Sequence, residues 1–230
     1  MSSLAQIPLF VRPFRTSIAE VHAVSKPART FTGDFYLTHR EDDRLWFVLG
    51  DVAGKGLPAA VIMAMIQEEL EHRIASCAAM RLDPAVTMQR LHAFLQPLMP
   101  QNRFATIVIG YLRDDGQLTL ANAGHCPPLL VRDGAMERIG STGPVAGILK
   151  TSRWRSVTRQ LAPGDAILLY SDGLLEARAG DGEELGIERI ADSFARVADA
   201  SPREIVEGVL ADARGHAFDD DVTLLAITAS

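Results

Sequence analysis

Residues 46–70 read WFVLGDVAGKGLPAAVIMAMIQEEL. An apolar run of strand length ends on Gly50-Asp51, passes Gly54 and Gly56, and enters a long stretch of Ala, Ile, Met, Leu and Glu. Pro58 suits the first turn of a helix, and the residues after it are strong helix formers, predicting helix over 59–79. Asp51 is the residue that needs an explanation. Aspartate is depleted in strands, and an unpaired carboxylate at the end of a buried one is costly. The glycines suggest a phosphate loop, but GDVAGKG lacks the G-x-x-x-x-G-K-[ST] spacing and Lys55 is followed by Gly56.

Working outward, DFYLTH (34–39) and RLWFVLGD (44–51) flank the polar REDDR and predict a hairpin, with an earlier strand over 17–25. Asp83-Pro84 signals an N-cap and first turn of a second helix, with Val86, Leu91, Phe94, Leu95 and Leu98 at helical spacing. FATIVIGYL, QLTLANAG, PPLLVRDG, RWRSVTRQL and DAILLYSDG are then successive short strands. Between residues 132 and 155 frequent Gly and Pro with weak periodicity suggest long mobile insertions. Helices return over 187–197 and from Ser201-Pro202 to Ala213, and DVTLLAITA closes the chain as a strand. Segregated strand and helix blocks favour antiparallel sheets with packed helices over βαβ alternation.

The 230 residues hold 23 Lys and Arg against 29 Asp and Glu, a formal charge of −6, with 47% hydrophobic residues. That is the mix of a globular protein. The negative balance, with no basic cluster to offset it, argues against nucleic acid or an anionic membrane surface as partner. Cys77 and Cys126 form neither a metal-ligand spacing nor a disulfide framework, which suggests small apolar side chains in a reducing compartment. The N-terminal residues resemble no signal peptide, and a cytoplasmic location is expected.

One kind of position recurs: an aspartate beside glycine or another aspartate, next to a strand. Asp34 follows Thr32-Gly33, Asp51 ends its strand, Asp172 precedes Gly173, and Asp219, Asp220 and Asp221 precede VTLLAI. Taken singly, each is most often a turn. Brought together without a cation, each close pair would repel by ~1 kcal/mol at about 4 Å even in water. Divalent ions relieve such a cluster. An all-oxygen ligand set without His or Cys selects Mg²⁺ or Mn²⁺ over zinc, and two such ions can activate water for in-line attack on phosphorus.

The ordered set TGDFY, GDVAGKGLPAA, FATIVIGYL…LTLANAGHCPPLLV, PGDAILLYSDGLLEA with GEELG, and DDDVTLL resembles the PPM-type (type 2C) metal-dependent protein serine/threonine phosphatases. The bacterial SpoIIE/RsbU branch is the nearer match. The resemblance runs from about residue 17 to 228, which implies a phosphatase domain over 17–230 behind an N-terminal extension of 1–16. The implied fold is α+β, a four-layer αββα sandwich of two mostly antiparallel sheets flanked by helix pairs. It also implies two divalent ions, Mn²⁺ or Mg²⁺. Carried over by residue, Asp34 is similar to a ligand of one ion, Asp51 to the carboxylate bridging both, and Val52 supplies a backbone carbonyl. Asp172 and one of the final aspartates complete the set: Asp220 by its spacing from Thr223, then Asp221, then Asp219. Thr32 and Leu37 depart from the family pattern, and the phosphate-binding arginine of eukaryotic relatives has only Arg29 or Lys26 as stand-ins.

Other residues keep two readings. His125 in NAGHCPP could be a general acid for the leaving alkoxide, although a hydrogen-bonded turn residue is commoner. Lys55 could contact phosphate or be a solvated loop lysine. Asn122 and Ser171 could support the metal loops. His72 and His92 read as surface or partner-facing, and Met63 and Met65 as core. The expected activity is hydrolysis of phosphoserine or phosphothreonine on a protein by direct attack of water. The substrate implied by the resemblance is a phosphorylated STAS-type anti-sigma-factor antagonist. A separate regulatory protein or a homodimer contact acting through the helices of 58–99 is the expected control. The alternatives are a catalytically weak phosphatase-like module acting by docking, and a metal-dependent nuclease or small-molecule phosphoesterase.

Overall fold

A computed structural model describes residues 14–15, 19–28, 30–75, 83–99 and 103–230. Arg29, Cys77 and the end of the first expected helix lie outside the described residues. Among the described residues eleven strands and five helices run in the order β1 (Phe14–Arg15), β2 (Ala19–Lys26), β3 (Asp34–Glu41), β4 (Arg44–Val52), α1 (Leu57–Ala75), α2 (Pro84–Leu95), β5 (Ala105–Arg113), β6 (Gln117–Ala123), β7 (Leu129–Arg132), β8 (Ala135–Arg138), β9 (Val157–Gln160), β10 (Ala166–Tyr170), α3 (Asp172–Leu175), α4 (Gly186–Val197), α5 (Pro202–Asp212) and β11 (Val222–Ala229).

The strands form two sheets, ordered β1-β2-β11-β10-β7-β8 and β3-β4-β5-β6-β9, and every strand pair in them is antiparallel. Three apolar clusters separate four layers. Trp46 and Val48 of β4 pack with Ile66, Leu70, Met88 and Leu91 of α1 and α2. Leu45, Phe47 and Leu49, the alternate residues of the same strand, meet Ile167, Leu169, Leu225 and Ile227 of the other sheet. Beyond that sheet, Leu168, Leu224 and Ala226 pack against Ile190, Phe194, Ile205 and Val209 of α4 and α5. Both faces of β4 are covered, which is why its sequence is a continuous apolar run rather than an alternation. The αββα sandwich expected from the sequence is the fold observed.

Local chemistry fixes the element ends. Asp83 caps α2, accepting from the Ala85 amide at 2.8 Å with Pro84 in the first turn. Ser201 and Glu204 form a reciprocal capping box at the start of α5.

Three expectations change. The stretch 132–155 is folded: Asp133-Gly134 turns β7 into β8, Ala146 bridges to Ala105, and Ala146 and Trp154 pack on the α1–α2 core. The buried stripe of α2 uses Met88 and His92 with Leu91 and Leu95, while Val86 and Leu98 are exposed. His92 is therefore interior, accepting from the Gly147 amide at 3.0 Å and packing edge-on to Trp154. The bond satisfies Nδ1, while Nε2 is buried without a hydrogen-bond partner. Among the described residues no helix is long and apolar enough to cross a membrane.

Candidate metal centre

The alternation that builds the core also builds the site. Leu45, Phe47 and Leu49 face the opposite sheet, so Asp51 continues that parity at the end of β4. Asp34 lies directly across from Asp51 on β3, and Thr106 directly across on β5. On the other sheet, Ile167 and Leu169 lead to Ser171, and Leu225 leads back to Thr223 and Asp221. At one end of the inter-sheet core the facing positions thus change from apolar to polar.

A cavity of about 230 Å³ opens there, lined among others by Gly33, Asp51, Lys55, Thr106, Asp172, Asp220 and Asp221. Asp34 lies deeper, 4% exposed, with Oδ2 buried and without a hydrogen-bond partner. Burial raises its carboxyl well above the usual range; the Thr223 and Ser171 hydroxyls pull it down, and Asp51 and Asp221 push it up. Asp51 is pushed up to about 7, first by burial and then by the charges of Asp172, Asp220 and Asp221. Asp172 is raised by burial and by Asp220, with Lys55 acting in the opposite sense. Carboxylates shifted together in this way are a site short of positive charge.

Two glycines bring backbone to the site. A Cβ on Gly33 would sit 2.7 Å from Asp51 Oδ1 and 2.9 Å from the Val52 carbonyl oxygen, so two oxygens converge beside a residue with no side chain. A Cβ on Gly173 would sit 2.1 Å from the Asp221 carbonyl oxygen, so the Asp172-Gly173 turn can press against the 220–221 backbone only as glycine. Ser171 locks that contact, donating to the Asp221 carbonyl at 3.1 Å and accepting from the Thr223 amide at 2.9 Å.

The final aspartates divide their work. Asp221 is buried and accepts from the amides of Ala28 at 2.7 Å and Gly33 at 3.1 Å, one on each carboxylate oxygen. Asp220 is half-buried and pairs with the Lys55 ammonium at 2.8 Å. Asp219 is exposed. Lys55 is thus an exposed loop lysine whose ammonium is set against the site. Lys26 lines a different cavity, with Glu207, Arg214, His216 and Phe218, and is not brought to the aspartates.

Among the described residues no three Asp, Glu, His or Cys side chains are drawn tightly enough together to grip an ion as they stand. The surroundings nonetheless suit a hard cation: an all-oxygen donor set, the orphaned Asp34 Oδ2, the oxygens converging beside Gly33, and an ammonium already seated on Asp220.

Asn122 is buried and clamps His125, accepting from its amide at 2.8 Å and donating to its carbonyl at 3.2 Å. His125 is itself buried, with Nδ1 2.9 Å from the Thr106 hydroxyl. Burial pulls its ring down to about 4, which leaves the imidazole neutral at neutral pH. Cys126 is half-buried, and burial pushes its thiol up to about 12, in keeping with an inert side chain. Thr106 is the cavity residue the sequence reading passed over. Its signal is a polar residue where an otherwise apolar strand opens, opposite the end of the Asp51 strand.

Comparison with known proteins converges on the same group. The phosphoserine phosphatase RsbU of Bacillus subtilis (strain 168) is 26% identical over 216 residues, covering 90% of this chain and 62% of that protein. This chain therefore spans less than two thirds of that relative. The structure of the RsbU and RsbW domains of Rv1364c from Mycobacterium tuberculosis superposes with a TM-score of 0.79 at 29% identity, over 97% of this chain and 63% of that one. RsbX in complex with magnesium shares the fold, with a TM-score of 0.75 at 16% identity over 95% of this chain and 99% of that one. The family model of stage II sporulation protein E matches residues 41–230, from the β3–β4 turn through the last strand. Its span takes in the sheet ends that carry Asp51, Asp172 and Asp220, and on that match the chain belongs to the SpoIIE family.

Proposed function

We propose that this chain is a Mg²⁺- or Mn²⁺-dependent phosphatase acting on phosphoserine or phosphothreonine in a protein. The observation that carries the reading is the acidic cavity at the joined sheet ends, lined by Asp51, Asp172 and Asp220 with Asp34 buried across from Asp51, in a chain of the SpoIIE family. In this reading Asp51, the Val52 carbonyl, Asp34, Asp172 and Asp220 would hold the ions, the first three from the β3–β4 sheet and the last two from the opposite side. Asp221, with both oxygens on backbone amides, keeps Gly33 in register instead of giving up those bonds.

Bound divalent ions supply an activated water and charge neutralisation for the phosphoryl oxygens. The chain's own residues do the rest. The aspartates fix positions for attack in line with the seryl oxygen, and Ser171 and Thr223 hold the geometry beneath Asp34. Water forms the new P–O bond, the P–O bond to the seryl oxygen breaks, and the proton from water ends on the serine.

The substrate we propose is a phosphorylated STAS-type anti-sigma-factor antagonist in a partner-switching pathway, with regulation by a separate protein or a second copy. The similarity to RsbU and to the RsbU–RsbW domain structure supports that choice. Release of inorganic phosphate from a phosphoseryl STAS-domain protein, with Mn²⁺ and with EDTA, tests it. Manganese-dependent release is expected. Equal release in EDTA, or none with Mn²⁺, contradicts it.

A further inference from the structure

We propose that Thr106 orients the attacking water in this cavity, and that His125 is the positioning residue that fixes the Thr106 hydroxyl. The inference rests on the phosphatase reading and deepens it.

Thr106 lines the cavity and is the direct cross-strand partner of Asp51, so its side chain lies beside the carboxylate at the centre of the site. Its hydroxyl has a buried partner that does not line the cavity: His125 Nδ1 at 2.9 Å. The ring is 6% exposed, and Asn122 holds its backbone through both amide and carbonyl. Nε2 is buried and completes no hydrogen bond, while the Tyr170 backbone carbonyl is the polar group that favours a ring N–H. The proposal assigns the tautomer with Nε2 protonated on the Tyr170 side and Nδ1 accepting from the threonine hydroxyl.

A threonine whose proton is committed to His125 turns its lone pairs toward the cavity. A water placed against Asp51 then donates to Thr106 Oγ1, which fixes the direction of its remaining lone pair. The ring also reaches from Thr106 on the β5 sheet to Tyr170 on β10, two residues before Asp172. No proton passes through the imidazole, which separates this role from general acid catalysis.

Four single variants, one double variant and one spectrum test the proposal. Thr106→Val is expected to lower kcat for p-nitrophenyl phosphate with Mn²⁺ by about tenfold, the scale of one neutral hydrogen bond. KM and Mn²⁺ affinity by calorimetry stay near wild type, while the melting temperature falls because the buried Nδ1 loses its hydroxyl partner. Thr106→Ser, which keeps the hydroxyl, retains most activity. His125→Gln offers a neutral acceptor and donor and is expected to keep activity and the wild-type pH profile. His125→Leu loses as much as Thr106→Val, and the double variant loses no more. Nitrogen-15 spectra of the metal-free protein are expected to show neutral His125 protonated on Nε2, with the Nδ1 signal moving in Thr106→Val. Full activity in Thr106→Val overturns the proposal, as does an Nδ1–H tautomer. Activity lost in His125→Gln together with one limb of the pH profile overturns it in favour of a general acid. An inactive wild type overturns the phosphatase reading itself, a result distinct from these.

Discussion

Asp34 and Asp51 are direct cross-strand partners at the open end of the β3–β4 hairpin, and both carboxyls are shifted toward protonation. Two acids placed opposite each other at a buried sheet end oppose folding unless a cation joins them. Much of what can be tested follows from that pairing.

The metal-free protein should lose stability as pH rises through the acid range. The Asp51 carboxyl is raised from 3.8 to about 7 in the fold. Between those values the unfolded chain releases a proton that the folded chain keeps, so the contribution falls with rising pH and is flat above about 7. Asp34 acts in the same direction. Asp51→Asn should therefore match wild type near pH ~4 and exceed it by on the order of 1–3 kcal/mol near pH ~8 in EDTA. Urea unfolding at the two pH values measures this. An Asp51→Asn protein less stable than wild type at the higher pH would count against the account.

Asp220 and Asp221 should separate cleanly. Asp221→Asn loses an acceptor for one of the two loop amides and is expected to cost about 1–3 kcal/mol in denaturant melts. Asp220→Asn, at a half-buried position, is expected to change stability by less than about 0.5 kcal/mol while weakening Mn²⁺ binding by about tenfold or more. The reverse pattern in melts and calorimetry would reverse the assignment of the two residues.

Gly33→Ala places a methyl 2.7 Å from Asp51 Oδ1 and 2.9 Å from the Val52 carbonyl oxygen. The expected outcome is loss of Mn²⁺ affinity by about tenfold or more with a melting temperature lowered by only ~5 °C. Unchanged calorimetric binding would show that ions do not use the oxygens beside Gly33.

On the proposed reading, Lys55 and a divalent ion would compete for Asp220. Lys55→Met should tighten Mn²⁺ binding by roughly two- to fivefold at low salt, the scale of an exposed ion pair, with the gain shrinking at high salt. Weaker binding in the variant would assign Lys55 a supporting role toward the ion site.

How much of this was legible in the chain depends on whether the cause was local. The β3–β4 hairpin, the Asp83 cap and the helix start at Ser201-Pro202 were readable because their signals lie within a few residues. So were the four αββα layers, through strand and helix blocks and the family's motif order. Strand β8 was not, because an edge strand with both ends exposed carries no apolar alternation. His92 looked like a surface residue because its partners, Gly147 and Trp154, come from a distant loop. The roles of Asp220 and Asp221 were ambiguous in a run of three aspartates. Only the amides of Ala28 and Gly33, nearly two hundred positions earlier, tell the two apart. Thr106 was hidden for the same reason: its meaning comes from register with Asp51 and from the buried His125 behind it.

The central claim is that the aspartates at the joined sheet ends carry metal-dependent phosphoryl hydrolysis. Its most direct measurement is manganese-dependent turnover of p-nitrophenyl phosphate by wild type and by Asp51→Asn, each confirmed folded by melting. The account predicts turnover that EDTA abolishes, and a loss of about a hundredfold or more in Asp51→Asn. Undiminished turnover in Asp51→Asn, or turnover indifferent to EDTA, would contradict it.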